Sequence, residues 1–457
     1  MKLFQNSGFK GIIGVARRDI TPPVGIYSRN WGAAKTDVAE GIHRPLTLTC
    51  LTFQSDKEEK PLVIIAADLG WWKSKEDEWF LRGPILDALS LPPTRLMFCL
   101  SHTHAGPSLF REDISKPGGE FIEPYLKCVQ ETAIQATQCA LSTAMLATLT
   151  WSYGKCALAT NRDLPEPNSD RFICGFNPLE TADDTLLVGR VTTDQGNILA
   201  TVVNYACHPT TLAWDNQLLS PDYVGAMREV IEKQSQAPCL FLQGASGDLA
   251  PAEQYVGDIS VAESHGRKLG HAVLSTLEGM LPAQMALAFK GVVESSTALA
   301  LWQRSPVAPS SVLVAEMIEV GLTLKPLATL AEIEQEWRDC TDPVLKERLW
   351  RKRAVRKAVG DGAISKAPVW VWRLGDSILI GQPNETYSEF QEILRRELAH
   401  NAVAVMNIVN GHVGYLPPKR WFGKDVYAVT QTPFASGALE SLTEATAKTA
   451  RRLMRIK

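Results

Sequence analysis

The chain has 457 residues, enough for one large domain with insertions or for two domains. Hydrophobic residues make up 45% and charged residues 21%, with a formal net charge of −3, so nothing in the bulk charge points to nucleic acid or to an anionic membrane. No apolar stretch of signal-peptide length opens the chain and no run of about 18 apolar residues occurs in it, so a cytoplasmic location without a transmembrane segment is expected. The nine cysteines are dispersed, with no CxxC pair, and read as buried free thiols rather than a zinc site.

In chain order, "LTLTCLTFQ" and "PLVIIAADLG" read as strands, "EDEWFLRGPILDAL" as a helix and "TRLMFCLS" as a strand. "EPYLKCVQETAIQATQCALSTA" has the apolar spacing of a long amphipathic helix, and "ATLTWSYGKCAL" reads as a strand. Strands "LLVGRVTT" and "ILATVVNYACH" follow, then a helix near 222–235, the strand "CLFLQGASGD" and a helix near 261–279. Such alternation predicts an α/β fold with buried sheets flanked by helices.

Residues 325–360 change character. Thr329 and Glu332 have capping-box spacing, and seven basic residues lie between Lys346 and Lys357. Two charged helices in an inserted hairpin fit this pattern. Its basic face is either solvated, with Leu349 and Trp350 packed inward, or a surface for a polyanion; it could also cap an active site. Strand pattern resumes in "APVWVWRLGDSILIGQP". A helix "ETYSEFQEILRRELAH", a strand entering a loop in "AVAVMNIVNGHVGYLPP" and a final amphipathic helix "SGALESLTEATAKTARRLMRIK" complete the chain. Because the core pattern resumes, 1–457 is read as a single domain.

Histidine is scarce, 8 residues, yet His102 and His104 follow one apolar run directly. In an extended segment, residues i and i+2 point to the same side, so both imidazoles can address one crevice at a strand's carboxyl end. His208 sits at a second strand exit, "VVNYACHPT". Three imidazoles from two strand ends suit a catalytic zinc with an open position. Cys207, the strand neighbour, faces away and is read as core. Glu385 begins a helix, where a carboxylate can be a metal ligand or a partner of the helix dipole. His412 and Tyr415 lie at another strand exit and could serve either the site or the structure. "GASGD" places Asp248 where a nucleophile elbow needs its second Gly, so Ser246 is a poor serine-hydrolase nucleophile. The 12 tryptophans, among them Trp71, Trp72, Trp214, Trp302, Trp370 and Trp372, serve either an aromatic pocket or core packing.

Taken in order, these blocks resemble the catalytic domain of the neutral/alkaline, non-lysosomal ceramidase family. "GVARRDITPPVG", "GIHRPL", "SHTHAGP", "NRD", "YACHPTTL", "GASGDLAP", "QPNETYSEF" and "NGHVGYLPP" resemble its motifs from about residue 11 to 430. The resemblance implies one zinc held by His102, His208, Glu385 and Tyr415, with His104 beside the metal, Arg162 contacting substrate and Tyr427 as a further active-site tyrosine. It implies hydrolysis of an N-acyl amide by zinc-activated water, on a small-molecule amide or lipid-like substrate. Asp68 and Asp248 are candidate partners that orient a ligand histidine. Two departures stand out: Ala250 occupies the family's serine position, and the family's C-terminal β-sandwich has no counterpart. These departures leave the substrate open between ceramide and another N-acyl amide, while amide hydrolysis remains the expected reaction. An esterase or lactonase with the same metal, or a non-catalytic metal- or lipid-binding relative, are the alternatives. Nothing in the sequence sets the oligomeric state.

Overall fold

Continuous apolar runs become strands buried on both faces, because each must lie between two covering layers. The structure, a computed structural model, describes residues 7–456, apart from the side chains at 343, 344, 347 and 351. The first sheet has eight strands: β1 (Phe9–Asp19), β2 (Thr47–Gln54), β3 (Leu62–Ala67), β4 (Leu96–Leu100), β5 (Met145–Lys155), β6 (Thr185–Thr193), β7 (Ile198–Tyr205) and β8 (Cys239–Gln243), in the order β8-β7-β6-β5-β1-β2-β3-β4. Only β3–β4 and β7–β8 are parallel pairs. Helices α1 (Lys75–Ala88) and α2 (Ile122–Ser142) cover one part of the outer face, and α3 (Tyr223–Ser235) and α4 (Ile259–Glu278) the other. The α2 stripe Tyr125, Leu126, Val129, Ala133, Ala136 and Ala140 has helical spacing and is buried throughout. At Gly14, an added Cβ would meet the Ala140 carbonyl at 1.8 Å, so glycine is what lets α2 lie on β1.

An exposed hairpin, β9 (Met285–Ser295) and β10 (Thr297–Pro306), separates this sheet from a second one. The second sheet comprises β11 (Leu313–Thr323), β12 (Ile364–Leu374), β13 (Ser377–Gly381) and β14 (Ala402–Met406), in that order. Between β11 and β12 lie α5 (Leu330–Asp339) and α6 (Pro343–Val359), the segment read as inserted helices. The Thr329–Glu332 capping box forms with both of its hydrogen bonds. Leu349 is buried and Trp350 packs on Phe110 and Trp337. Arg353 pairs with Glu112 and Glu334, and Lys357 with Glu112, so the basic helix spends charge on its own chain and leans on the loop that follows the histidine pair.

The inner faces of the two sheets enclose a shared core of Phe53, Met97, Trp151, Leu240, Trp370, Trp372 and Met406. On the far face of the second sheet lie α7 (Ser388–Glu397), the short α8 (Tyr427–Gln431) and α9 (Ala438–Leu453). The layering is helices, sheet, sheet, helices. Trp370 and Trp372 donate their indole N–H groups to the Pro93 and Thr94 carbonyls, tying the second sheet to the turn before β4.

One crossover decides where the site forms. The first sheet curls until its edge strands β4 and β8 flank a single segment, residues 407–410. Asn407 N–H donates to the Gln243 carbonyl of β8, and Leu100 N–H of β4 donates to Ile408. Asn410 bonds Phe98 N–H and the Leu96 carbonyl with its side chain. Ile408 and Asn410 have φ of 55° and 52°, the left-handed turns that thread the chain through the gap. Five cysteines are buried as expected (Cys50, Cys99, Cys156, Cys207, Cys239), but Cys128 is exposed. Among the described residues, no helix is long and apolar enough to cross a membrane.

Candidate metal centre

Four strand exits, two from each sheet, deliver the candidate side chains to one seam. His102 follows β4, His208 follows β7, Glu385 follows β13, and His412 and Tyr415 follow β14. His102 and His104 do converge, with ring centroids 4.9 Å apart. The expected extended geometry is not how they do so. His102 has a φ of 69°, a left-handed turn that ends the strand, so the i, i+2 rule does not apply. Its N–H is satisfied by the Leu69 carbonyl.

The hydrogen bonds fix which nitrogens face inward. His208 Nδ1 lies 2.6 Å from the Ser246 carbonyl, and His102 Nδ1 3.3 Å from the Gly70 carbonyl. A carbonyl only accepts, so each Nδ1 carries the proton and each Nε2 presents a lone pair. Those Nε2 atoms face one carboxylate oxygen: Glu385 Oε2 lies 3.0 Å from His208 and 3.4 Å from His102. Burial pushes the His208 imidazole down to about 4, so it is neutral. Glu385, which accepts from His412 through Oε1, is held well below its usual carboxyl range despite its burial. Lone pairs thus confront an anion at close range.

His104 adds two more bare atoms. It lies between Trp31 and Trp71, with ring centroids 5.0 and 4.7 Å away and planes tilted by 38° and 42°, and neither ring nitrogen has a hydrogen-bond partner among the described residues. Burial, followed by His102 and His208, pushes it well below the ordinary histidine range. Donor atoms of His102, His104 and His208 all lie within 4.8 Å of one another, so the three could hold a metal ion.

The remaining predicted residues join the same seam. Tyr415 Oη accepts from Arg162 at 3.0 Å, and Arg162 also donates twice to the Gly247 carbonyl. Burial and then Glu385 push the Tyr415 phenol well up. Tyr427 is half exposed, its ring 5.5 Å from Tyr415. His412 Nε2 donates to Glu385 Oε1 at 2.8 Å and so orients the carboxylate, a role its spacing alone could not separate from a structural one.

Two expected partners are elsewhere. Asp68 is spent on Arg228 and Thr47, and Asp248 on the Ser388 N–H and hydroxyl, so neither touches a histidine. Backbone carbonyls hold the imidazoles instead. Ser246 Oγ accepts from Gln243 and is buried, which removes it as a nucleophile. Ala250 is fully buried, paired with Thr160. Trp71 and Trp214 reach the site while Trp72, Trp370 and Trp372 are core. Trp31 and Tyr255 were not legible as site residues. They complete an aromatic wall with Trp214, and a cleft of about 20 Å³ beside His104 opens along it.

With this geometry in place, the fold can be compared with known structures. No family model and no curated protein sequence matches. The structure is similar to a neutral ceramidase from Pseudomonas aeruginosa, with a TM-score of 0.69 at 15% identity over 98% of this chain and 75% of that one. It is similarly close to a ceramidase complexed with C2, at 0.68 and 14% identity over 97% and 75%. The chain has the neutral ceramidase fold. That α/β architecture, with buried sheets flanked by helices, is the one expected from the sequence.

Proposed function

We propose that this ceramidase-fold chain is a zinc-dependent hydrolase of N-acyl amides. The observation that carries the reading is the pair of imidazole Nε2 atoms that face the Glu385 carboxylate, each with its Nδ1 set against a backbone carbonyl, an arrangement that a cation between them would turn from repulsive to attractive. The separations of 3.0 and 3.4 Å match the edge of a tetrahedron of zinc ligands, about 3.3 Å for bonds of 2.0–2.1 Å. His102, His208 and Glu385 would hold the ion, with Tyr415 as the fourth ligand. When bound, zinc supplies a Lewis acid that polarises a carbonyl and lowers the pKa of a water from 15.7 to about 7.

The chain's own groups supply the rest. Arg162, fixed by Gly247 and Tyr415, directs a permanent positive charge at the position of a developing oxyanion. His104 carries the water's proton to the departing amine, so that amide and water become carboxylic acid and amine. The wall of Trp31, Trp71, Trp214 and Tyr255 excludes water from the reacting bond and suits an apolar acyl group.

The test is metal analysis followed by turnover of paired N-acyl amides and matching esters. His102→Ala and His208→Ala should each lose zinc and hydrolysis together. Full zinc occupancy with undiminished turnover in both variants overturns the reading; turnover of esters alone would shift it to an esterase.

A further inference from the structure

The hairpin β9–β10 stands apart from everything else in the fold. Among the described residues it pairs with no third strand, and both of its strands are exposed almost throughout. Isolated two-stranded hairpins are marginal in water, yet this one is apolar. On one face the register places Met285, Leu287, Phe289, Val292 and Glu294 beside Pro306, Arg304, Trp302, Ala300 and Ala298, an apolar stretch with one charge of each sign, Arg304 beside Leu287 and Glu294 at the tip. Phe289 and Trp302 are direct cross-strand partners in edge-to-face contact at 5.7 Å. The five large side chains of this face are 38–58% exposed. The opposite face carries Val293, Leu299 and Leu301, also exposed. The hairpin's base closes on itself through Val307 N–H to the Gln284 carbonyl, and Gln284 Nε2 donates to Thr148 Oγ1 of β5, so the hairpin projects as an arm of about 33 Å.

We infer that this arm is a dimerisation device, packing through its Leu287–Phe289–Val292–Trp302 face against the same arm of a second copy of this chain. Area supports a second copy. The five side chains expose roughly 500 Å² per copy, so two facing arms bury about 1,000 Å², the size at which a specific interface begins. The face is self-complementary around a large aromatic pair, as a two-fold interface requires. Chemistry disfavours a bilayer as the occupant. The arm's tip is Glu294-Ser295-Ser296-Thr297, which would enter the hydrocarbon first. Two open strand edges would enter with it, each carrying backbone groups that lipid cannot satisfy. Strand β9 is also bulged between Phe289 and Gly291, with Lys290 at the irregularity, which guards that edge against open-ended strand addition.

Sedimentation velocity on the full chain at 1–50 µM tests the inference. Wild type should run at twice the monomer mass. Trp302→Lys and Leu287→Lys, both at exposed positions, should each shift it to monomer by weakening association at least tenfold, with zinc content and turnover unchanged. A monomeric wild type overturns the inference, as does a dimer that survives both substitutions. Flotation with phosphatidylcholine vesicles separates the other occupant: binding of a monomer that Trp302→Lys abolishes would make the arm a membrane contact instead.

Discussion

Each inward-facing Nε2 is bare because a backbone carbonyl behind it claims the proton on Nδ1, and this divides the residues by role. His208 and His102 are fixed by Ser246 and Gly70, whereas His104 has aromatic rings on both sides and no polar anchor. A ligand needs a fixed direction; a proton carrier needs freedom to bond in turn to water and to amine. His104→Ala should therefore keep its zinc and lose about 10²–10⁴-fold in kcat. Zinc lost in step with activity would make His104 a ligand instead. Arg162→Lys is the second residue-scale prediction. A single ammonium cannot span both the Gly247 carbonyl and Tyr415 Oη, so kcat/KM should fall about 10²–10³-fold at unchanged metal content. The scarcity and strand-end placement of His102, His104 and His208 made them legible in the sequence. His412 stood out only as a strand-exit residue that could serve the site or the structure; Trp31 and Tyr255 were not legible, because they come from loops whose positions are set by tertiary contacts rather than by any local period.

At the scale of elements, the turn after β8 is the hinge of the site. Its carbonyls at Ser246 and Gly247 hold His208 and Arg162, and an added Cβ at Gly247 would meet Tyr387 and the Glu385 and Thr386 backbone at 2.8–3.0 Å. Asp248 pins this turn to α7 through Ser388. Burial pushes the Asp248 carboxyl from 3.8 up to about 7. A folded pKa above the unfolded one means the folded state keeps a proton that the unfolded state releases. The contribution to stability is full below pH 3.8 and is lost as pH rises through 7. Asp248→Asn retains an acceptor for the Ser388 N–H and an amide donor for its hydroxyl. Its Tm relative to wild type should therefore rise between pH 5 and pH 8; a constant difference would refute the buried-acid account. The strands and helices that frame this turn were legible because apolar runs such as "LVIIAA" and "LMFCL" and the capping box at Thr329 are local signals. The β9–β10 arm escaped the same reading. Apolar residues fall on both of its faces, so it offers no inside and outside to give a strand its alternation, and no buried layer to explain a continuous run.

For the molecule as a whole, the consequence lies in the seam. His102 and His208 follow strands of the eight-stranded sheet, Glu385 and Tyr415 pair with each other in a short parallel bridge beyond strands of the four-stranded one, and residues 407–410 are threaded between the edges of the first. No single sheet supplies all four proposed donors, so a metal held by them would link the two sheets and stabilise only the state in which both are assembled. At a free metal concentration of 100 times Kd, binding adds about 2.7 kcal/mol to unfolding. In a chain of this size, where each kcal/mol moves Tm by roughly 1–2 °C, chelation should lower Tm by about 3–5 °C. The diagnostic comparison is across the seam. His208→Ala removes a donor from the first sheet and Glu385→Ala one from the second; in both variants the chelator-induced shift should vanish. If the ion were held by the three histidines alone, Glu385→Ala would keep most of that shift while His208→Ala lost it. Differential scanning calorimetry with and without chelator decides between a metal that joins two sheets and one held by the strand ends of the first sheet alone.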